Sequence, residues 1–276
     1  MQLLKILLGF FFILVITILT QIGGLVFIIS LLTHNPINKK VINAWSRFAI
    51  KSLSFLSLYL IFVFALVPLA AEPLGRVALP LYETNHLRPT TIWTCLLNRN
   101  YVRPELREIA FKVSESMNKK YPGTIINYLD ANFPFIDKFP LLPHLSHNDG
   151  KKLDLSFLYI DNGSGKQTDK VPSFIGYGIS EEPKLNEENT PAYCSKIGQW
   201  QYSLLSKLIS QNNKVNYKFD EQRTKYLVNT FVSDERLGRI FIEPHLKVRL
   251  GLTSEKIKFH GCHAVRHDDH LHVQLK

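Results

Sequence analysis

Hydrophobic positions fall in two long blocks at the front of the chain and in short periodic runs after that. From Ile6 to Leu32 no residue is charged, a length that exceeds the ~30 Å hydrocarbon core of a bilayer at about 1.5 Å per helical residue. A second uncharged stretch, Ser52–Ala71, is interrupted only by Pro68 near its end. The pattern predicts a two-helix transmembrane hairpin, residues 6–32 and 52–71, within a membrane anchor of residues 1–72. The intervening segment carries Lys39, Lys40, Arg47 and Lys51 without an acid. The positive-inside rule places it in the cytoplasm, with both ends of the chain outside.

Beyond the anchor the pattern changes. Residues 73–100 are proline-rich and aperiodic and read as a linker, and residues 101–276 as the folded domain. Arg103-Pro104-Glu105 opens a helix whose apolar positions Leu106, Ile109, Val113 and Met117 recur every three to four residues, up to the stop at Tyr121-Pro122-Gly123. Thr124–Leu129 has strand composition. Asp149-Gly150 is a two-residue turn signal ahead of the alternating run from Lys151, so a hairpin is expected there. The glycine- and proline-rich stretch from Asp161 to Cys194 reads as a surface loop. Helices are expected at Ile197–Ile209, Glu221–Phe231 and from Pro244 to about Leu250, and strands at Arg239–Ile242 and the terminal HLHVQL. Helices segregated from antiparallel strands predict an α+β domain: an antiparallel sheet with flanking helices.

Charge narrows the partners. The net charge is +10, but residues 1–71 hold five of the 33 basic residues and none of the 23 acidic ones, leaving 28 against 23 outside the anchor. No basic stripe with interleaved aromatics is present, which argues against nucleic acid. Three cysteines, Cys95, Cys194 and Cys262, permit one disulfide in an oxidising compartment and leave its pairing open.

Candidate chemistry concentrates at RHDDHLHVQLK, residues 266–276. In a strand, His270, His272 and Gln274 share one face, and Leu271, Val273 and Leu275 the other. An ideal hairpin at Asp149-Gly150 brings His147 and Asp154 to diagonal positions about 7–8 Å apart, within reach of a bridging cation. Two imidazoles and one carboxylate form a catalytic zinc set with a fourth position left open. His270, beside His272, is placed to accept or relay a proton. Asp268 and Asp269 suit turn or imidazole-accepting roles. Arg266 is a candidate to hold a substrate carboxylate. His34, His86 and His245 read as ordinary surface residues, and Asp234-Glu235 as a turn.

These motifs resemble a known family. His147 with Asp154 seven positions on, followed much later by His270-Leu271-His272, is similar to the ligand pattern of the zinc peptidases that include lysostaphin-type endopeptidases, D-Ala-D-Ala peptidases and the Hedgehog signalling domain. PHLSHNDG (143–150), HDDHLHV (267–273) and the preceding RIFIEPHLK look like the penicillin-insensitive murein endopeptidase branch, with a histidine three residues before each of the paired histidines. The likeness covers roughly Thr124–Lys276. It implies one Zn2+ per domain bound by His147, Asp154 and His272, with His270 as catalytic base or transition-state stabiliser and His144 and His267 as additional site histidines. The implied substrate is a peptidoglycan peptide, cut outside the cytoplasm; the inner-membrane embedding is expected from the apolar blocks alone, since the likeness covers none of them and the anchor departs from the soluble periplasmic enzyme it implies. A D,D-carboxypeptidase and a non-catalytic zinc-containing module that binds cell-wall peptides or a partner protein are the alternatives.

Overall fold

The computed structural model describes residues 2–276. The chain is a mixed α+β fold, with a helical bundle at the front seated directly on the domain.

The first apolar block is not one helix. Gln2–Thr20 is helical, the backbone reverses at Gln21, which adopts φ +66°, and Gly23–Ser30 runs back along the first helix. Glycine permits this close return: a Cβ on Gly24 would lie 2.1 Å from Thr17 Oγ1, and one on Gly23 would lie 2.8 Å from the Ile16 carbonyl oxygen. A short 3-10 turn and the helix His34–Lys40 continue the return, and a third helical run then occupies Ala44–Leu74. Each run contributes one ring to a cluster, Phe12 and Phe27 at 5.0 Å and Phe27 and Phe55 at 5.6 Å, so three helical runs lie side by side where two were expected. The first residues therefore sit at the same end as the basic segment, which corrects the expectation that both chain ends lie on one side. By length and composition, Ala44–Leu74 is long and apolar enough to cross a membrane, and only 11% of its most apolar window is buried.

Residues 73–100 are not a free linker. Leu87–Pro89 pairs in parallel with Ile126–Tyr128 as an edge strand of the main sheet, and Leu87 is fully buried in the core. Arg76 is buried as well, donating to the Asp149 carbonyl at 2.6 Å and pairing with Asp137. Proline-rich, aperiodic sequence hid a segment held by single anchoring side chains rather than by a repeating apolar face.

The main sheet has six strands in the spatial order Ile257–Lys258, Leu237–Phe241, His270–Leu275, Lys152–Ser156, Ile126–Tyr128, Leu87–Pro89. Its centre is antiparallel, as expected, but both edge pairs are parallel, so the sheet is mixed. Alternation sorts the two central strands. Leu153, Leu155, Leu271 and Val273 enter the core beneath the helices Pro104–Lys120 and Glu221–Val232, which bury Leu106, Ile109, Val113, Leu227 and Phe231. Asp154 and His272 are left on the opposite face.

Candidate metal centre

The terminal strand pairs with Lys152–Ser156 in a register that sets His272 directly across from Asp154 and His270 across from Ser156. His147 arrives differently. Residues 129–150 form no hairpin partner for this strand; after Tyr128 the chain loops away and returns to the sheet as a turn at His144–His147. Asp149-Gly150 is not a hairpin turn but a cradle for Arg76. The Asp149 carbonyl accepts from Arg76 and Arg103, and a Cβ on Gly150 would lie 2.0 Å from the Arg76 guanidinium. The expected diagonal between His147 and Asp154 is thus replaced by a loop histidine laid against a strand aspartate.

The contact is close all the same. His147 Nε2 lies 3.2 Å from Asp154 Oδ1, His272 Nδ1 lies 2.9 Å from that oxygen, and the two nitrogens are 3.1 Å apart. All three residues are buried. His147 Nδ1 sits 2.7 Å from the Ala131 carbonyl oxygen, which can only accept, so Nδ1 carries the proton and Nε2 presents a lone pair to the cluster. Three acceptor-type atoms then converge with at most one proton, that of His272 Nδ1, to share among them. Asp154 Oδ1 makes no well-aligned hydrogen bond among the described residues. Uncompensated convergence of this kind is costly in a buried site, and a cation relieves it.

His144 stands on the other side of the carboxylate. Its Nδ1 is 3.4 Å from Asp154 Oδ2 and 3.1 Å from Asp130 Oδ2. His144, His147 and Asp154 each offer a ligand atom within 4.8 Å of the others, a buried group that can hold a metal ion. The triangle completed by His272 is tighter.

The two histidines of the HxH pair have opposite protonation preferences. Burial pushes His272 down to about 4, against the pull of Asp154, which keeps it neutral. Burial also disfavours the charge on His270, but Asp269 and Asp154 outweigh it and hold the imidazole at about 9. His270 Nδ1 bonds to Asp269, leaving Nε2 unpaired 3.7 Å from Asp154 Oδ2. Burial raises the Asp154 carboxyl, yet the surrounding His147, His270 and His272 bring it well below the usual carboxylate range. His267, also buried, is driven well below 6.5 by burial and by the neighbouring His270.

A groove of about 480 Å³ opens over this cluster, walled by His144, Leu145, Leu204, His260, His263 and Val265 among others. The Cys194–Cys262 disulfide ties two of its sides together, and Cys95 is a buried free thiol. Ile197–Ile209 does not form the expected continuous helix. It breaks into the 3-10 turn Trp200–Ser203 and the short α-helix Leu204–Leu208, and Ile197, Trp200 and Leu208 remain exposed.

Arg266 does not reach for a substrate. Its guanidinium is buried against Asp268, with Nε to Oδ1 at 2.9 Å, and against Glu182 at 2.9 Å. His245 is buried too, with Nε2 2.7 Å from the Glu181 carbonyl, rather than on the surface.

Two supports escaped the sequence. Tyr177 donates to Asp154 Oδ2 at 2.8 Å and accepts from Asp130 N at 3.1 Å; Gly178 N donates to the Asp269 carboxylate. One segment of the glycine-rich loop thus braces both Asp154 and the partner of His270. Gly178 adopts φ +85°, a conformation that L side chains rarely take. A tyrosine flanked by two glycines was the one available clue. Arg99, 2.6 Å from Asp130 Oδ2, anchors the layer behind.

No family model matches the chain, and no curated protein matches it.

Proposed function

We propose that the chain is a membrane-anchored, zinc-dependent peptidase whose domain hydrolyses amide bonds in peptidoglycan peptides outside the cytoplasm, with endopeptidase cleavage of cross-links as its reaction. The observation that carries this reading is the triangle of His147 Nε2, Asp154 Oδ1 and His272 Nδ1, with sides of 2.9 to 3.2 Å. A tetrahedral zinc with bonds of about 2.0–2.1 Å separates its ligands by about 3.3 Å. Two imidazoles, one carboxylate and an open groove make the donor set of a catalytic rather than a closed structural site. When bound, zinc supplies Lewis acidity, polarising a carbonyl oxygen and making water acidic enough to attack near neutral pH.

The chain's own residues do the rest. His147 is held in the lone-pair-forward tautomer by the Ala131 carbonyl. Tyr177 takes up Asp154 Oδ2 and leaves Oδ1 for the cation. His270, oriented by Asp269, turns Nε2 toward the reacting face, where it can hold or deliver a proton as charge moves onto the scissile carbonyl and the departing amine. Arg266, the feature that favoured a carboxypeptidase, is engaged by Asp268 and Glu182, so it does not serve to hold a free substrate carboxylate.

The membrane reading rests on the exposed apolar sides of the helical runs and on the Ala44–Leu74 run. With three side-by-side runs and basic residues at the end remote from the domain, the positive-inside rule puts that end in the cytoplasm and the groove outside.

The test is digestion of purified peptidoglycan by the detergent-solubilised full chain and by its His270→Ala form. Soluble muropeptides from the first and not the second are expected. Products from neither, with zinc bound, would leave a binding module instead.

A further inference from the structure

The domain meets the bundle along a defined line. The Gln21 side chain accepts from Phe135 N at 2.8 Å, Asn98 Nδ2 donates to the Thr20 carbonyl at 3.2 Å, and Tyr59 OH donates to the Leu96 carbonyl at 2.7 Å. Thr20 ends a 19-residue helix, and Tyr59 lies 15 positions after the start of its own helix at Ala44. At about 1.5 Å per residue, Thr20 lies about 28 Å from the start of its helix, close to one hydrocarbon thickness, and Tyr59 about 22 Å from Ala44, with Arg47 and Lys51 on the first two turns or so of that helix.

Beside that line the domain exposes apolar side chains. Ile92 and Trp93, on the short helix that ends at Leu96, are 46% and 55% exposed, and Ile136, next to the residue bound by Gln21, is 59% exposed. Trp93 and Leu97 also wall a second cavity of about 180 Å³, whose inner side is His144 and Tyr177.

We infer that this face, Ile92, Trp93 and Ile136, is a lipid-contacting surface seated in the outer headgroup layer, so that the second cavity opens from the membrane side toward His144. The inference rests on the membrane reading above. Continuity is what identifies the occupant: the exposed residues adjoin the helices at the depth where a bilayer surface would lie, and tryptophan is the side chain enriched there. The groove is then held at a fixed height over the leaflet rather than on a mobile tether.

Fluorescence quenching in nanodiscs of lipids brominated near the head of the acyl chain tests this. The chain has three tryptophans, Trp45, Trp93 and Trp200, and both Trp45 and Trp200 are largely exposed, so replacing them with phenylalanine removes few contacts. Trp93 alone, in a Trp45→Phe/Trp200→Phe chain, is expected to lose fluorescence to an extent comparable with Trp45 alone. In a tryptophan-free chain, Ile136→Trp is expected to be quenched and Val248→Trp is not. The Val248 helix lies by the Ile257 edge strand, with Lys247 Nζ 2.7 Å from the Ile257 carbonyl, five strand spacings or about 24 Å across the sheet from Leu87–Pro89. Quenching of Trp45 without Trp93 or Ile136→Trp overturns the inference and leaves the membrane anchor standing. No quenching of Trp45 or Trp93 overturns both.

Discussion

Asp154 and His272 face each other across adjacent antiparallel strands, with Oδ1 and Nδ1 2.9 Å apart. The pairing register therefore builds half of the candidate metal centre, and a one-residue slip of the terminal strand would turn His272 into the core. The other half depends on the loop that carries His147 and on the glycine-rich segment behind it.

Tyr177 is expected to act through Asp154. Tyr177→Phe keeps the ring between His144 and His270 but removes the donor to Oδ2. Zinc affinity, measured by chelator competition, should fall about 10- to 100-fold, with little change in melting temperature. Unchanged affinity would make Tyr177 a packing residue only.

The HxH pair makes two opposing contributions to the pH dependence of the metal-free protein. His272 is held at about 4 when folded against about 6.5 unfolded, so between those values the unfolded chain binds more protons and stability falls as pH drops. His270, held at about 9, stabilises fully below 6.5 and loses that contribution as pH rises toward 9. Each limb is on the order of 1–3 kcal/mol. His270→Asn should flatten the loss of stability between about pH 6.5 and 9 in thermal melts and spare the acid side; an alkaline slope unchanged from the unaltered protein would contradict the assignment.

Much of this was legible beforehand. The helices Pro104–Lys120 and Glu221–Val232 and the terminal strand followed from apolar spacing, because each buries a continuous face. The grouping of His147, Asp154, His270 and His272 was expected from their chemistry and from a likeness in spacing, and the four side chains do lie together. What stayed hidden depends on single long-range contacts that leave no period. Gln21 reverses the first apolar block, Arg76 occupies the presumed hairpin turn, and Arg266 is spent on Asp268 and Glu182. Tyr177 reaches the site from a loop more than twenty residues past Asp154 in sequence.

Leu87→Ala tests the placement of residues 73–100 inside the domain. Truncating this fully buried side chain should cost about 2–5 kcal/mol, read as a lower denaturant midpoint. A cost below about 0.5 kcal/mol, typical of surface positions, would restore the view of this segment as a tether.

Opening the Cys194–Cys262 bridge, which closes a span of 68 residues, should destabilise the protein by about 4 kcal/mol in the chain-entropy view. Because the bridge joins two walls of the groove, the Cys194→Ala/Cys262→Ala form should also lose more of the peptidase activity proposed above than zinc. Full activity in that form would show that the groove holds its shape without the staple.

The most direct measurement is zinc binding by equilibrium dialysis of the metal-stripped full chain and its single variants. One zinc per chain is expected for the unaltered protein and for His144→Ala, and near-complete loss for His147→Ala, Asp154→Ala and His272→Ala. Undiminished binding by His272→Ala, or loss confined to His144→Ala, would contradict the ligand triangle.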